Sequence, residues 1–159
     1  MKSRIHAGAG ILAIGLVVSF MTATVTVEAL GGDEAVLWVK TAILAALLLL
    51  IPSVMVAGAS GRSLARGRTS PLLKAKKRRT AAVAVVGLGV LLPAAVVLRG
   101  LAAAGDFGTT FVTVQAVELA GGAVNLTLLG LNARAGRTLT AARRRRKRTA
   151  RAAAAAPPV

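Results

Sequence analysis

Six polar residues set in or at the ends of apolar runs carry the chemistry this sequence offers: Lys40, Gln115, Glu118, Asn125, Asn132 and His6. Glu118 comes first, because it is the one acid inside an apolar run, Thr109 to Leu131. Read as a helix, that run puts Gln115, Glu118, Gly122, Asn125 and Asn132 on one face, within an arc of roughly 100°. The opposite face is Val, Ala, Leu and Thr. At 1.5 Å per residue Glu118 lies ~12 Å below the outer end of its helix. A charged acid near mid-membrane costs ~2.5–3.5 kcal/mol, and such residues face the bundle interior and find partners. Gln115 is one turn away and can hydrogen-bond it. Lys40, about one turn into the second run, either snorkels to the headgroups or pairs with Glu28 or Glu118. Two chemistries follow. One is an interhelical polar clamp that fixes bundle register, at ~0.6 kcal/mol per bond. The other is a proton or cation site built from Glu118, Gln115, Lys40 and Asn125. His6 sits at the inner end of the first run, close in depth to Asn132, and suits a hydrogen bond there. Haem ligation is a third reading, but bis-histidine ligation needs two histidines and the chain has one. It would need a Met ligand, an open site or a dimer sharing His6. No metal cluster, nucleophile–base pair, phosphate-binding Gly loop or paired carboxylates stand out, so neither a cofactor nor enzymatic activity is expected.

The elements that must position these residues are membrane helices. The chain has 159 residues, 55% of them hydrophobic, and a mean hydropathy of +0.71. Four apolar runs, at about 7–27, 36–58, 81–98 and 109–131, approach the ~20 residues needed to cross a ~30 Å hydrocarbon core. The expected fold is all-α, an antiparallel four-helix transmembrane bundle occupying residues 1–138. Residues 139–159 read as a basic, disordered cytoplasmic tail. Cysteine is absent, which excludes disulfides, iron–sulfur ligation and thiolate chemistry.

Orientation follows from charge. Of 21 Lys and Arg, two open the chain, eight follow the second run and nine follow the fourth, while four of the five acids lie in the first and third connections. The excess of Lys and Arg in short flanking segments predicts that both termini and the middle connection are cytoplasmic. Trp38, Phe107 and Phe111 are expected as interfacial aromatics at the outer ends. Lys74, Lys76, Lys77, Arg78 and Arg79 form a basic collar before the third run. Arg143, Arg144, Arg145, Arg146, Lys147 and Arg148 form a second cluster. Both are expected to bind anionic lipid headgroups, at ~1 kcal/mol per charge. Nucleic acid is not implied, because no aromatic residues are interleaved in the tail to stack on bases.

The first run has a second reading as a signal peptide, with a basic start and a Val-x-Ala ending at Ala29. Its length of ~21 residues exceeds the usual ~7–15-residue signal core, and it carries two small or polar faces. His6, Gly10, Ala13 and Thr24 form one. Gly8, Gly15, Ser19, Thr22 and Thr26 form the other, in which Gly15-xxx-Ser19 suits close helix packing. Pro52 in the second run should kink its helix. Gly87, Gly89 and Pro93 make the third run adaptable. The connections expected are tight outer turns at Gly31-Gly32 and Gly105-Asp106, with Arg99 and Asp106 as a pair. The segment 58–80 reads as a flexible loop followed by the collar.

The stretch QAVELAGGAVNLTLLGLNARAG resembles the closing helix of a family of small, uncharacterised bacterial four-span integral membrane proteins. IHAGAGILAIG, FMTATVTVEALGG and KAKKRR are similar to theirs as well. The resemblance covers roughly residues 4–138. It implies the fold and a place in the bacterial inner membrane, and no particular chemistry. The functional expectation is a non-enzymatic scaffold or accessory subunit whose partner is another membrane protein or a second copy. The alternatives are a small transport or ion- or proton-coupling protein using Glu118, and a haem-binding redox protein using His6.

Overall fold

The computed structural model describes residues 2–64 and 70–154. Among the described residues every element is helical: α1 (Lys2–Leu30), α2 (Asp33–Leu64), α3 (Pro71–Val86), a π-helical turn (Gly87–Leu91), α4 (Leu92–Ala103) and α5 (Thr109–Ala154). From α3 through the π turn to α4 the helix is continuous, so four spans are long and apolar enough to cross a membrane. They run up and down. Each span packs on two neighbours, α1 beside α2 and α5, and the third span beside α2 and α5. Thus α2 and α5 face each other across the diagonal. Large apolar side chains point outward on every span, with Ile11 72%, Leu48 79%, Val85 69% and Val112 62% exposed. Such a surface requires lipid rather than water around it.

The connections show why the helices stop where they do. At the acidic end α1 gives way to α2 at Gly31, where a Cβ would sit 2.6 Å from the Val27 carbonyl oxygen. Asp33 and Glu34 then occupy the first turn of α2, where the helix dipole favours negative charge. At the second acidic-end turn Gly105 has φ +69°. Its N–H donates to Ala102 O and that of Asp106 to Leu101 O, the paired bonds of a Schellman cap. Asp106 also accepts from the Gly108 N–H at 3.0 Å, and among the described residues it forms no ion pair with Arg99. At the basic end Ser70 caps α3 by accepting from the Leu73 N–H at 3.2 Å, and Pro71 follows at the first helical position.

The helices outrun their apolar segments. Residues 58–64, expected in a loop, complete α2, and the collar Lys74–Arg79 is the first part of α3. Residues 139–154, expected as a disordered tail, continue α5. Hydropathy marks where lipid ends rather than where a helix ends: in the collar and the tail Ala, Leu, Arg and Lys are strong helix formers, whereas the Gly- and Ser-rich 58–64 packs on α1, where His6 Nδ1 meets Ala57 O and Ser60 Oγ. Arg66 and Arg68 lie outside the described residues, as do the side chains of Arg143, Arg144, Arg146 and Lys147. α2 stays helical through Pro52. In the third span the Leu92 N–H reaches back five residues to Gly87 O. That widening lies immediately before Pro93, whose ring would crowd a regular helix.

Candidate functional site

A lysine closes the acidic half of the bundle. Lys40, near the start of α2, is 1% exposed. Its Nζ donates to Glu118 Oε2 at 2.9 Å and to Gln115 Oε1, and pairs with Glu28 Oε1 at 3.3 Å. Of the three N–H donors of an ammonium, two are hydrogen-bonded here, and Glu28 adds an ion pair. The acceptors come from α1 and α5, so one side chain from α2 crosses the diagonal and ties three helices together. Lys40 therefore does not snorkel: the bundle supplies acceptors that lipid headgroups would otherwise supply. The side chains of Glu118 and Glu28 are 14% and 25% exposed. Two carboxylates face one ammonium, an excess of acceptor charge in a low-dielectric setting.

An apolar plug sits beyond this clamp at the acidic end. Val36, Leu98, Ala102 and Phe111 form a buried cluster, with Phe107 and Val114 packed on it. Phe107 and Phe111 meet edge to face with centroids 5.0 Å apart. Phe111, expected at the interface, is thus a core residue, whereas Trp38 is 68% exposed. The first turn of α5 faces the third span, and that packing overrides the aromatic's interfacial preference.

On the other side of the clamp, toward the basic end, lies a cavity of about 260 Å³ between the four spans. Its lining is apolar except for Thr24, Arg62, Thr80, Glu118 and Asn125. The polar stripe of α5 turns inward along this depth, with Gln115 and Asn125 each 5% and Asn132 9% exposed. Among the described residues, three buried atoms on it have no hydrogen-bond partner: Gln115 Nε2, Asn125 Oδ1 and Asn132 Oδ1. Asn132 Nδ2 donates to Thr80 Oγ1 at 3.1 Å.

His6 packs on α2 and, among the described residues, forms no hydrogen bond with Asn132. Its Nδ1 is 2.9 Å from Ala57 O and 3.1 Å from Ser60 Oγ, while Lys76 Nζ stands 3.5 Å from Nε2. A carbonyl can only accept, so Nδ1 carries the hydrogen and Nε2 presents its lone pair to Lys76. Both ring nitrogens face protein groups. Lys76 consequently turns in from the collar, while Lys74, Lys77 and Arg78 stay exposed. Among the described residues no group of acids and histidines is placed to hold a metal ion.

Sequence reasoning named Lys40, Glu28, Glu118 and Gln115 and left their pairing open. It missed the cavity, Arg62 at its edge and Thr80 as the partner of Asn132. Those depend on how the helices are rotated against each other, which a single helix does not encode. Comparison of the chain with protein-family models, with curated proteins and with solved structures finds no match. The class that fold and site define is a multi-pass, all-α membrane protein with a polar clamp inside its bundle.

Proposed function

We propose that this protein is a non-enzymatic scaffold or accessory subunit of the bacterial inner membrane that docks a second membrane protein. The outward face of α1 carries the reading. Gly8, Gly15, Ser19, Thr22 and Thr26 are all exposed on it, and a Cβ at Gly8 or Gly15 would meet nothing within 4 Å. Ser19, Thr22 and Thr26 line a shallow groove that Val39 of α2 helps to wall. Within lipid, small and hydroxyl residues on an open helix face favour close approach of another helix. Both chain ends lie in the cytoplasm on this reading, which the Lys and Arg bias supports. Resemblance to small bacterial four-span proteins supports the location. Anionic lipid is the second partner, met by Lys74, Lys77, Arg78 and the cluster Arg143–Arg148. The test is co-purification of the tagged chain from mild detergent. Gly15→Leu with Ser19→Leu should lose the bound membrane protein, or a second copy, while the bundle stays folded. Retention of the partner by that variant overturns the reading.

A second reading, ion or proton coupling through Glu118, is favoured by the two carboxylates that share one ammonium, of which Glu118 lines the cavity. Proton or cation flux in vesicles tests it, and flux left unchanged by Glu118→Gln removes it.

A further inference from the structure

We propose that the cavity beside the clamp binds a compact lipophilic ammonium compound drawn from the bilayer, with its charged head at Glu118 and a second hydrogen-bond donor at Asn125. The polar atoms that border the cavity select the head. Glu118 uses Oε2 for Lys40, and among the described residues its Oε1 has no hydrogen bond. Asn125 is 5% exposed, and its Oδ1 is buried without a partner. Both atoms accept hydrogen bonds, and leaving a buried acceptor such as Asn125 Oδ1 unpaired costs ~1–3 kcal/mol. A ligand that fills the site therefore brings donors. The head is a cation because Glu118, the one acid among the described residues of the lining, offers it Oε1. Arg62 at the opposite edge sets the orientation, because it repels a cationic head from the basic end.

Spacing and size define the rest. Glu118 and Asn125 are two turns apart on α5, ~10 Å at 1.5 Å per residue, with apolar lining between them from Met21, Leu91 and Gly122. The ligand thus has polar ends and an apolar middle. The volume of about 260 Å³ is just under the ~300–1,000 Å³ of ordinary small-molecule pockets, so the body is slender. The way in is lateral. Met55 of α2 and Leu88 of the π turn line the cavity, yet are 67% and 52% exposed. α2 and α3 scarcely touch at this level, and the gap opens onto lipid.

The test uses the full chain in lipid nanodiscs and equilibrium dialysis of a radiolabelled terminal aminooctanol. Saturable binding of one molecule per chain is expected. Octanediol, which lacks the charge, should bind at least tenfold more weakly, and octylamine, which lacks the second donor, several-fold more weakly. Glu118→Gln should weaken aminooctanol about tenfold. Asn125→Leu should bring it to the level of octylamine. Ala84→Phe fills the cavity without touching the clamp and should abolish binding while the melting curve by circular dichroism stays cooperative. Uptake that only rises linearly, as partition into lipid does, overturns the proposal. Saturable binding that Ala84→Phe leaves unchanged, or equal affinity for aminooctanol and octanediol, overturns it as well.

Discussion

Replacing Lys40 by Met removes the only cation of the clamp and keeps most of the side-chain volume. The bonds at stake set the magnitude. Lys40 meets Glu118, Gln115 and Glu28, and intramembrane polar contacts average ~0.6 kcal/mol each, which gives a floor near ~2 kcal/mol. Breaking a buried ion pair from one side costs ~3–5 kcal/mol, because the stranded charge stays buried. Glu28, with a side chain 25% exposed, reaches water and pulls the figure below that ceiling. The expected loss is ~3 kcal/mol, or roughly 100-fold in the folding equilibrium. The triple variant Lys40→Met, Glu28→Gln, Glu118→Gln strands no charge and should recover all but ~1 kcal/mol, as neutral replacements of buried pairs do. Reversible unfolding in mixed detergent and dodecyl sulfate micelles, followed by circular dichroism, measures both. A loss under ~0.5 kcal/mol for Lys40→Met, or a triple variant no better than the single one, would refute the clamp.

Three smaller changes probe the frame around it. Gly31→Ala should destabilise by ~1–3 kcal/mol on the same assay, since its Cβ would lie 2.6 Å from a backbone oxygen that cannot yield. Gly121→Ala brings a Cβ within 2.7 Å of Leu91 Cδ2, the end of a flexible side chain. It should cost ~1 kcal/mol, and the cost should shrink when Leu91→Ala is combined with it. Leu98→Ala, at a fully buried position of the acidic-end plug, should lose ~2–5 kcal/mol.

The spans were legible because length and hydropathy are summed over many residues, and four runs left little freedom for any other fold. Helix ends were not. Thr109 begins both the apolar run and α5, yet α5 continues some twenty residues past Leu131, where Ala and Arg propensity replaces hydropathy as the signal. The polar stripe of α5 was readable from its 3.6-residue period, as was the choice of Glu28 or Glu118 for Lys40. That Lys40 reaches both follows from the diagonal placement of α2 and α5, a property of the assembled bundle. Phe111 was misread for the same reason: residue type suggested an interface, and the neighbouring third span buried it. The π turn at Gly87–Leu91 has a visible ingredient in Pro93, whereas its packing beside Gly121 and Asn125 of α5 is a property of the assembled bundle.

Solid-state NMR of the lysine ammonium nitrogen in lipid bilayers reaches the clamp most directly. Nitrogen-15 on lysine and carbon-13 on the glutamate carboxyls, with assignment by Lys40→Met, should give through-space transfer from Lys40 to both Glu28 and Glu118. An ammonium signal that transfers only to lipid headgroups or water would place Lys40 at the interface and contradict the account.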